Sequence, residues 1–183
     1  MKNKLHNQLR TAGIAGIAVL ALAVPTFVLA VIRTLGTLEP ALIGLYAAFT
    51  IAGIITAIIF LRGFILLGKK VKNDILYAAS YAMLISTAAF LAYDMASTLF
   101  IQLGNMLIYT LFVFLMGVIS IFFGFGILKL EPKFGSIASI AGFLEILSGI
   151  TLASILLSFV ALLLVIPVSI LEIAILFRAA KFF

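Results

Sequence analysis

The chain has 183 residues, 66% of them hydrophobic and 10% charged, with a formal net charge of +6. A soluble domain of this length carries about 25% charged residues to keep its surface wet, so a water-soluble globule is excluded. Disorder, which needs low hydrophobicity and high charge, is excluded as well, and the composition is that of an all-α, polytopic integral membrane helix bundle.

A spanning helix needs about 20 apolar residues to cross about 30 Å of hydrocarbon. The first such run covers 9–32, from Leu9 to Ile32, and ends at Arg33. Its basic start and its close at Val28-Leu29-Ala30 also have the look of a signal peptide. The run exceeds the apolar region of about 7–15 residues usual there, so a retained helix is expected. The second run, 41–67, stops at Gly68-Lys69-Lys70-Val71-Lys72-Asn73-Asp74. The third covers 75–94, and the weaker stretch after it is either a helix extension toward 103 or an interfacial segment. The fourth, 106–128, is closed by Lys129-Leu130-Glu131-Pro132-Lys133. From Phe134 onward there is almost no polar break. A single helix over that length would reach about 75 Å, more than twice the hydrocarbon thickness, so the chain must fold back. A turn near Leu157-Ser158-Phe159 gives spans of 135–156 and 159–179, six in all within a single membrane domain, 1–183.

The basic residues give an independent reading. With the N-terminus inside, Lys2, Lys4, Arg10, Arg62, Lys69, Lys70, Lys72, Lys129, Lys133, Arg178 and Lys181 all fall on the cytoplasmic side, and Arg33 alone falls outside. That asymmetry predicts six spans with both termini cytoplasmic in a cell membrane. It also accounts for the positive charge as topology, with membrane lipids as the surroundings and no nucleic-acid partner.

Helices in lipid associate through close packing of small residues. The second helix has Gly44, Ala48, Ala52 and Thr56 at i+4 spacing, and the third has Ala78, Ala82, Ser86 and Ala89. The fourth has Gly117, Ser120 and Gly124, and the fifth Ala138, Gly142 and Gly149. Such stripes serve either packing within the bundle or dimerisation. A weak internal likeness runs from Gly63-Phe64, Ala79 and Leu84-Ile85-Ser86 to Gly124-Phe125, Ala141 and Ile146-Leu147-Ser148. A duplication in this sense would be a parallel repeat of the kind some transporters use.

Three acids fall within spans, where carboxylates are costly and point to function. Asp94 is about 28 Å of helical rise beyond Ile75, which makes it a hydrated helix end at the outer interface. Glu145 lies mid-helix on the face of Gly142 and Gly149, so its carboxyl points into a helix contact rather than lipid. It serves either as a proton or cation site, or as a neutral group hydrogen-bonded across two helices. Glu172 is placed nearer the inner interface, where it pairs with Arg178 or Arg62 or contributes to the same cation site.

Zero Cys and a single His, His6, remove disulfides, thiol chemistry and haem attachment; no metal and no cofactor is expected. No Walker A, His-Glu-x-x-His or Gly-x-Ser-x-Gly pattern is present. Tyr93-Asp94 lacks the Gly-x-Gly-Asp companion of intramembrane aspartyl proteases, since Phe123-Gly124-Phe125-Gly126 continues to Ile127. No enzymatic activity is expected. The turns Gly68-Lys69-Lys70 and Lys133-Phe134-Gly135, leading into helices spaced by Ala, Ser and Gly, resemble those of small archaeal-type multi-spanning membrane proteins of unknown function. That resemblance implies a polytopic bundle and brings no site residues with it. The leading functional expectation is a non-enzymatic membrane protein that assembles with itself or with other membrane subunits. The alternative is a small proton- or cation-coupled transporter or channel using Glu145 and Glu172.

Overall fold

The structure, a computed structural model, describes residues 2–35, 39–100 and 104–183. Seven helices and no strands occupy them: α1 (Lys2–Leu35), α2 (Pro40–Val71), α3 (Asp74–Leu99), α4 (Met106–Leu128), the single turn α5 (Glu131–Phe134), α6 (Ser136–Ala153) and α7 (Ser158–Phe182). All except α5 are long and apolar enough to cross a membrane. The chain is an all-α, six-span membrane bundle.

The helix ends follow local chemistry. Pro40 opens α2 at a position where its missing N–H removes no helical bond. Lys72, at φ 57°, ends that helix in the left-handed conformation. Asn73 then accepts the Leu76 N–H at 3.1 Å, capping α3, and donates its amide to the Gly126 carbonyl at 2.7 Å, tying α3 to α4. Asn105 caps α4 by accepting the Leu107 N–H at 2.9 Å.

Helices α1 and α2 are longer than their apolar runs, because the basic tail and Gly68–Val71 continue the helix past the hydrophobic stretch. The third helix continues unbroken to Leu99; the remainder of its expected extension, 101–103, lies outside the described residues. The last break falls at Ser154–Leu157, slightly before the expected turn, and Ile155 adopts φ 57° there.

The six long helices form a closed ring in which α1 neighbours α2, α2 neighbours α3, α3 neighbours α4, α4 neighbours α6, α6 neighbours α7, and α7 returns to α1. His6 Nδ1 sits 2.7 Å from the Ala180 carbonyl oxygen, and the Lys70 ammonium lies 5.6 Å from the centre of the Phe183 ring. Arg178 donates to the Phe134 carbonyl at 3.0 Å. The start of α1, the end of α7 and both lysine-rich turns therefore share one end of the bundle, called here the basic end.

The dry core is concentrated toward that end. It gathers Leu9, Phe64, Leu67, Leu76, Ile127 and Leu176, with Phe60, Phe64 and Phe123 meeting edge to face at 5.5 and 5.1 Å between ring centres.

The closest helix contact joins α4 and α6, which run antiparallel. A Cβ added at Gly124 would stand 2.7 Å from the Gly142 carbonyl, and one added at Gly142 would stand 2.7 Å from that of Gly124. Gly117 and Gly149 repeat the same reciprocal approach. Here small residues let two backbones touch, as packing in lipid requires.

The reading of the α2 stripe as packing within the bundle requires a correction. Gly44 and Ala48 are exposed, Ala52 is only half-buried, and a Cβ at Gly44 would meet nothing within 4 Å. The buried face of α2 is instead set by Tyr46, Thr50, Ala57, Phe60 and Phe64, on another side of the helix. The two halves of the internal likeness also have different surroundings. Gly63 abuts Ala12 of α1 and Leu176 of α7, whereas Gly124 abuts α6.

Candidate functional site

Glu145 has about 14 Å of helical rise before it in α6 and about 12 Å after it, so it sits at mid-depth. The flanking contacts Gly124–Gly142 and Gly117–Gly149 hold that part of α6 against α4, and Ser120 of α4 is within hydrogen-bonding reach of the Glu145 carboxyl. Glu145 is 7% exposed and Glu172 6%. Glu172 has about 21 Å of helix before it in α7 and about 15 Å after it, again mid-depth rather than near an interface.

Both acids line one cavity of about 200 Å3 at the middle of the ring. Each of the six long helices contributes to its wall: Val19 from α1, Phe60 from α2, Met83 from α3, Phe123 from α4, Leu152 from α6 and Val168 from α7. Four hydroxyl residues, Thr87, Ser120, Ser148 and Ser169, join the two carboxyls as its polar lining, and among the described residues no Lys, Arg or His faces it. The two acids are close enough to interact electrostatically.

The expected pairing of Glu172 with Arg178 or Arg62 is corrected. Arg178 points to the Phe134 carbonyl, Arg62 is exposed, and Glu172 has no ion-pair partner among the described residues. The reason is the face of α7 that Glu172 occupies, which points to the ring centre, while the arginines sit at the rim of the basic end.

Asp94 differs most from its expected surroundings, a hydrated helix end. It is 7% exposed and is the centre of a polar cluster joining four helices at the end opposite the basic one. Arg33 Nη2 donates to Asp94 Oδ1 at 2.8 Å, and the Tyr109 phenol donates to the same oxygen at 2.8 Å. The Tyr46 phenol donates to Oδ2, and Arg33 Nη1 donates to the Thr98 hydroxyl. Arg33 also lies 5.4 Å from the centre of the Tyr46 ring, in cation–π range. Ser97 pairs with the Tyr109 phenol and donates to the Asp94 backbone carbonyl at 2.9 Å. Arg33–Asp94 is the one ion pair among the described residues.

Sequence reasoning placed Asp94 at the end of the bundle away from the lysine-rich turns, where the structure has it, and missed its partners. The usable signal was there: Arg33 was the one basic residue assigned to that side, and Asp94 an acid at matching depth. Two of the cavity hydroxyls carried a signal too, since Ser148 is three residues after Glu145 and Ser169 three before Glu172, each on the acid's own helix face. Among the described residues no cluster of three or more His, Cys, Asp or Glu is placed to hold a metal ion.

A surface groove of about 650 Å3 lies between the two turns of the basic end. Lys72, Lys129 and Lys133 line it together with Asp74 and Glu131. Three cations and two carboxylates thus face one groove, and none of them forms an ion pair among the described residues.

Comparison with protein-family models, with curated proteins and with solved structures gives no match for this chain.

Proposed function

We propose that this protein is a small membrane carrier that exchanges protons for a cation at the cavity between Glu145 and Glu172. One observation supports the reading above the others: two buried carboxyls from adjacent helices face a single central cavity without a basic partner. Two carboxylates buried together and uncompensated are costly, and either protons or a cation can supply the compensation. A site that accepts one in place of the other couples the two. The hydroxyls of Thr87, Ser120, Ser148 and Ser169 supply the additional oxygens a permeating charged group needs when it leaves water.

The sequence favoured an assembling or accessory subunit because buried polar groups looked scarce. The cavity gathers six of them from four helices, which moves the balance to transport. In this reading the chain is non-enzymatic, sits in a cell membrane among lipids, and has both termini cytoplasmic.

The test is proton movement in liposomes containing the purified full-length protein and a trapped pH dye. An imposed cation gradient is expected to drive proton flux, and Glu145→Gln and Glu172→Gln are each expected to reduce it at least tenfold. Equal flux from the wild type and both variants would sink the carrier reading. Stoichiometric co-purification of other membrane proteins, together with inert liposomes, would restore the subunit reading.

A further inference from the structure

The chemistry of the cavity wall narrows the class of cation. We propose that the cavity is a site for a small organic cation, a protonated amine or guanidinium with a short apolar body, whose charge is held between Glu145 and Glu172. This rests on the carrier reading and names its substrate class.

Three observations carry it. First, Glu172 is 6% exposed and lines the cavity without a hydrogen-bond or ion-pair partner among the described residues, so its carboxyl is free to take a ligand. Glu145, by contrast, already has Ser120 beside it.

Second, the volume is large for a bare ion. A cavity of about 200 Å3 would hold the equivalent of six or seven waters at about 30 Å3 each. A metal ion with its oxygen ligands at about 2.0–2.6 Å would fill only one side of that space.

Third, the remaining wall is apolar. Phe60, Leu61, Met83, Phe123 and Val168 would leave the hydration shell of an inorganic ion without partners. The same side chains suit a hydrocarbon body, and aromatic rings beside an ammonium add attraction for the cation. A mostly apolar pocket with a few convergent charged groups is the usual form of a small-molecule site.

Charge balance in the exchange is simple. As the cation enters from one side, an O–H bond of a carboxyl breaks and its proton passes to water on that side; as the cation leaves to the other side, a proton from the water there forms the O–H bond again. No covalent bond to the substrate forms, and no electron moves.

The experiment is calorimetric titration of the purified full-length protein in detergent with propylammonium, guanidinium, Na+ and K+, each in two buffers of different ionisation enthalpy. Saturable propylammonium or guanidinium binding with proton release, at least tenfold tighter than Na+ or K+, is the expected result. Glu145→Gln combined with Glu172→Gln should abolish it while circular dichroism stays helical. Ser169→Leu keeps both carboxyls and narrows the space, so it should weaken propylammonium at least tenfold while retaining methylammonium. Should that double variant unfold, the Ser169→Leu size discrimination decides the matter. Na+ or K+ binding as tightly as the amines would overturn the organic-cation assignment and leave the carrier reading standing. Absence of binding and proton release with every cation would bring down both.

Discussion

Three acids are buried in this bundle, and their partners separate them into two kinds. Asp94 accepts hydrogen bonds from Arg33, Tyr46 and Tyr109, so its charge is compensated on the spot. Glu145 and Glu172 share a cavity without a basic side chain among the described residues. The first arrangement is structural and the second is available to a ligand. Removing one member of a buried pair strands the other, so Asp94→Asn is expected to lower stability by about 2–3 kcal/mol, somewhat under the full cost because Arg33 is partly exposed. Thermal denaturation of the purified protein in detergent checks this. Arg33→Gln should cost a comparable amount, and the double variant should cost clearly less than the sum of the two. Additive losses would mean that the two side chains do not stabilise each other. The placement of single residues was legible only where the signal was local. The face of Glu145 follows from its spacing to Gly142 and Gly149 along one helix. The surroundings of Asp94 depend on Arg33, Tyr46 and Tyr109 from three other helices, and helical periodicity does not report contacts at that separation.

Between elements, the α4–α6 contact fixes where Glu145 points. Gly117 and Gly149 close one end of it and Gly124 and Gly142 the other, with Ser120 and Glu145 between them. A side chain at Gly124 would run into backbone of α6, which cannot move aside as a flexible side chain would. Gly124→Leu is therefore expected to cost about 1–3 kcal/mol and to spread the two helices. Gly44→Leu, on an exposed face, should change stability by less than about 0.5 kcal/mol. Equal melting temperatures for the two variants would show that the α4–α6 approach is looser than described. The contrast also explains why small-residue stripes were only partly legible. An i+4 run of Gly and Ala states that residues share a face; it does not state whether that face meets lipid or a helix. On α4 and α6 the glycines lie opposite one another, while on α2 the contacts come from bulky Tyr46, Phe60 and Phe64. The six spans themselves were readable, because length and hydropathy depend only on the bilayer thickness. The break before α7 was displaced because no charge, Gly or Pro marks Ser154–Leu157.

For the molecule as a whole, the ring is dry and tightly filled toward the basic end, holds its cavity in the middle, and is tied at the far end by the Asp94 cluster. That cluster spans α1, α2, α3 and α4 and leaves α6 and α7 outside it, joined by the short apolar turn Ser154–Leu157. At that end α6 is held to the rest of the ring by its close approach to Gly117 of α4, where the backbone of Gly149 and Ala153 meets that glycine. In the carrier reading, the compartment at that end sets the direction of exchange. Both chain ends lie at the basic end, together with the lysine-rich turns, and the usual retention of Lys and Arg on the cytoplasmic side is the ground for expecting that end to face the cytoplasm. The chain contains no Cys, so a single introduced thiol reports its own location without background. Leu156 is 87% exposed at the tip of the α6–α7 turn, and Lys133 is exposed in the α4–α6 connection. Leu156→Cys is expected to react with a membrane-impermeant maleimide on intact cells, and Lys133→Cys only after permeabilisation. The opposite pattern would invert the molecule in the membrane and place the Asp94 cluster on the cytoplasmic face. Protection of both thiols in intact cells and their labelling after permeabilisation would instead place the protein in an internal membrane or the α6–α7 turn within the bilayer, and labelling of Leu156→Cys in inverted vesicles would separate those two cases.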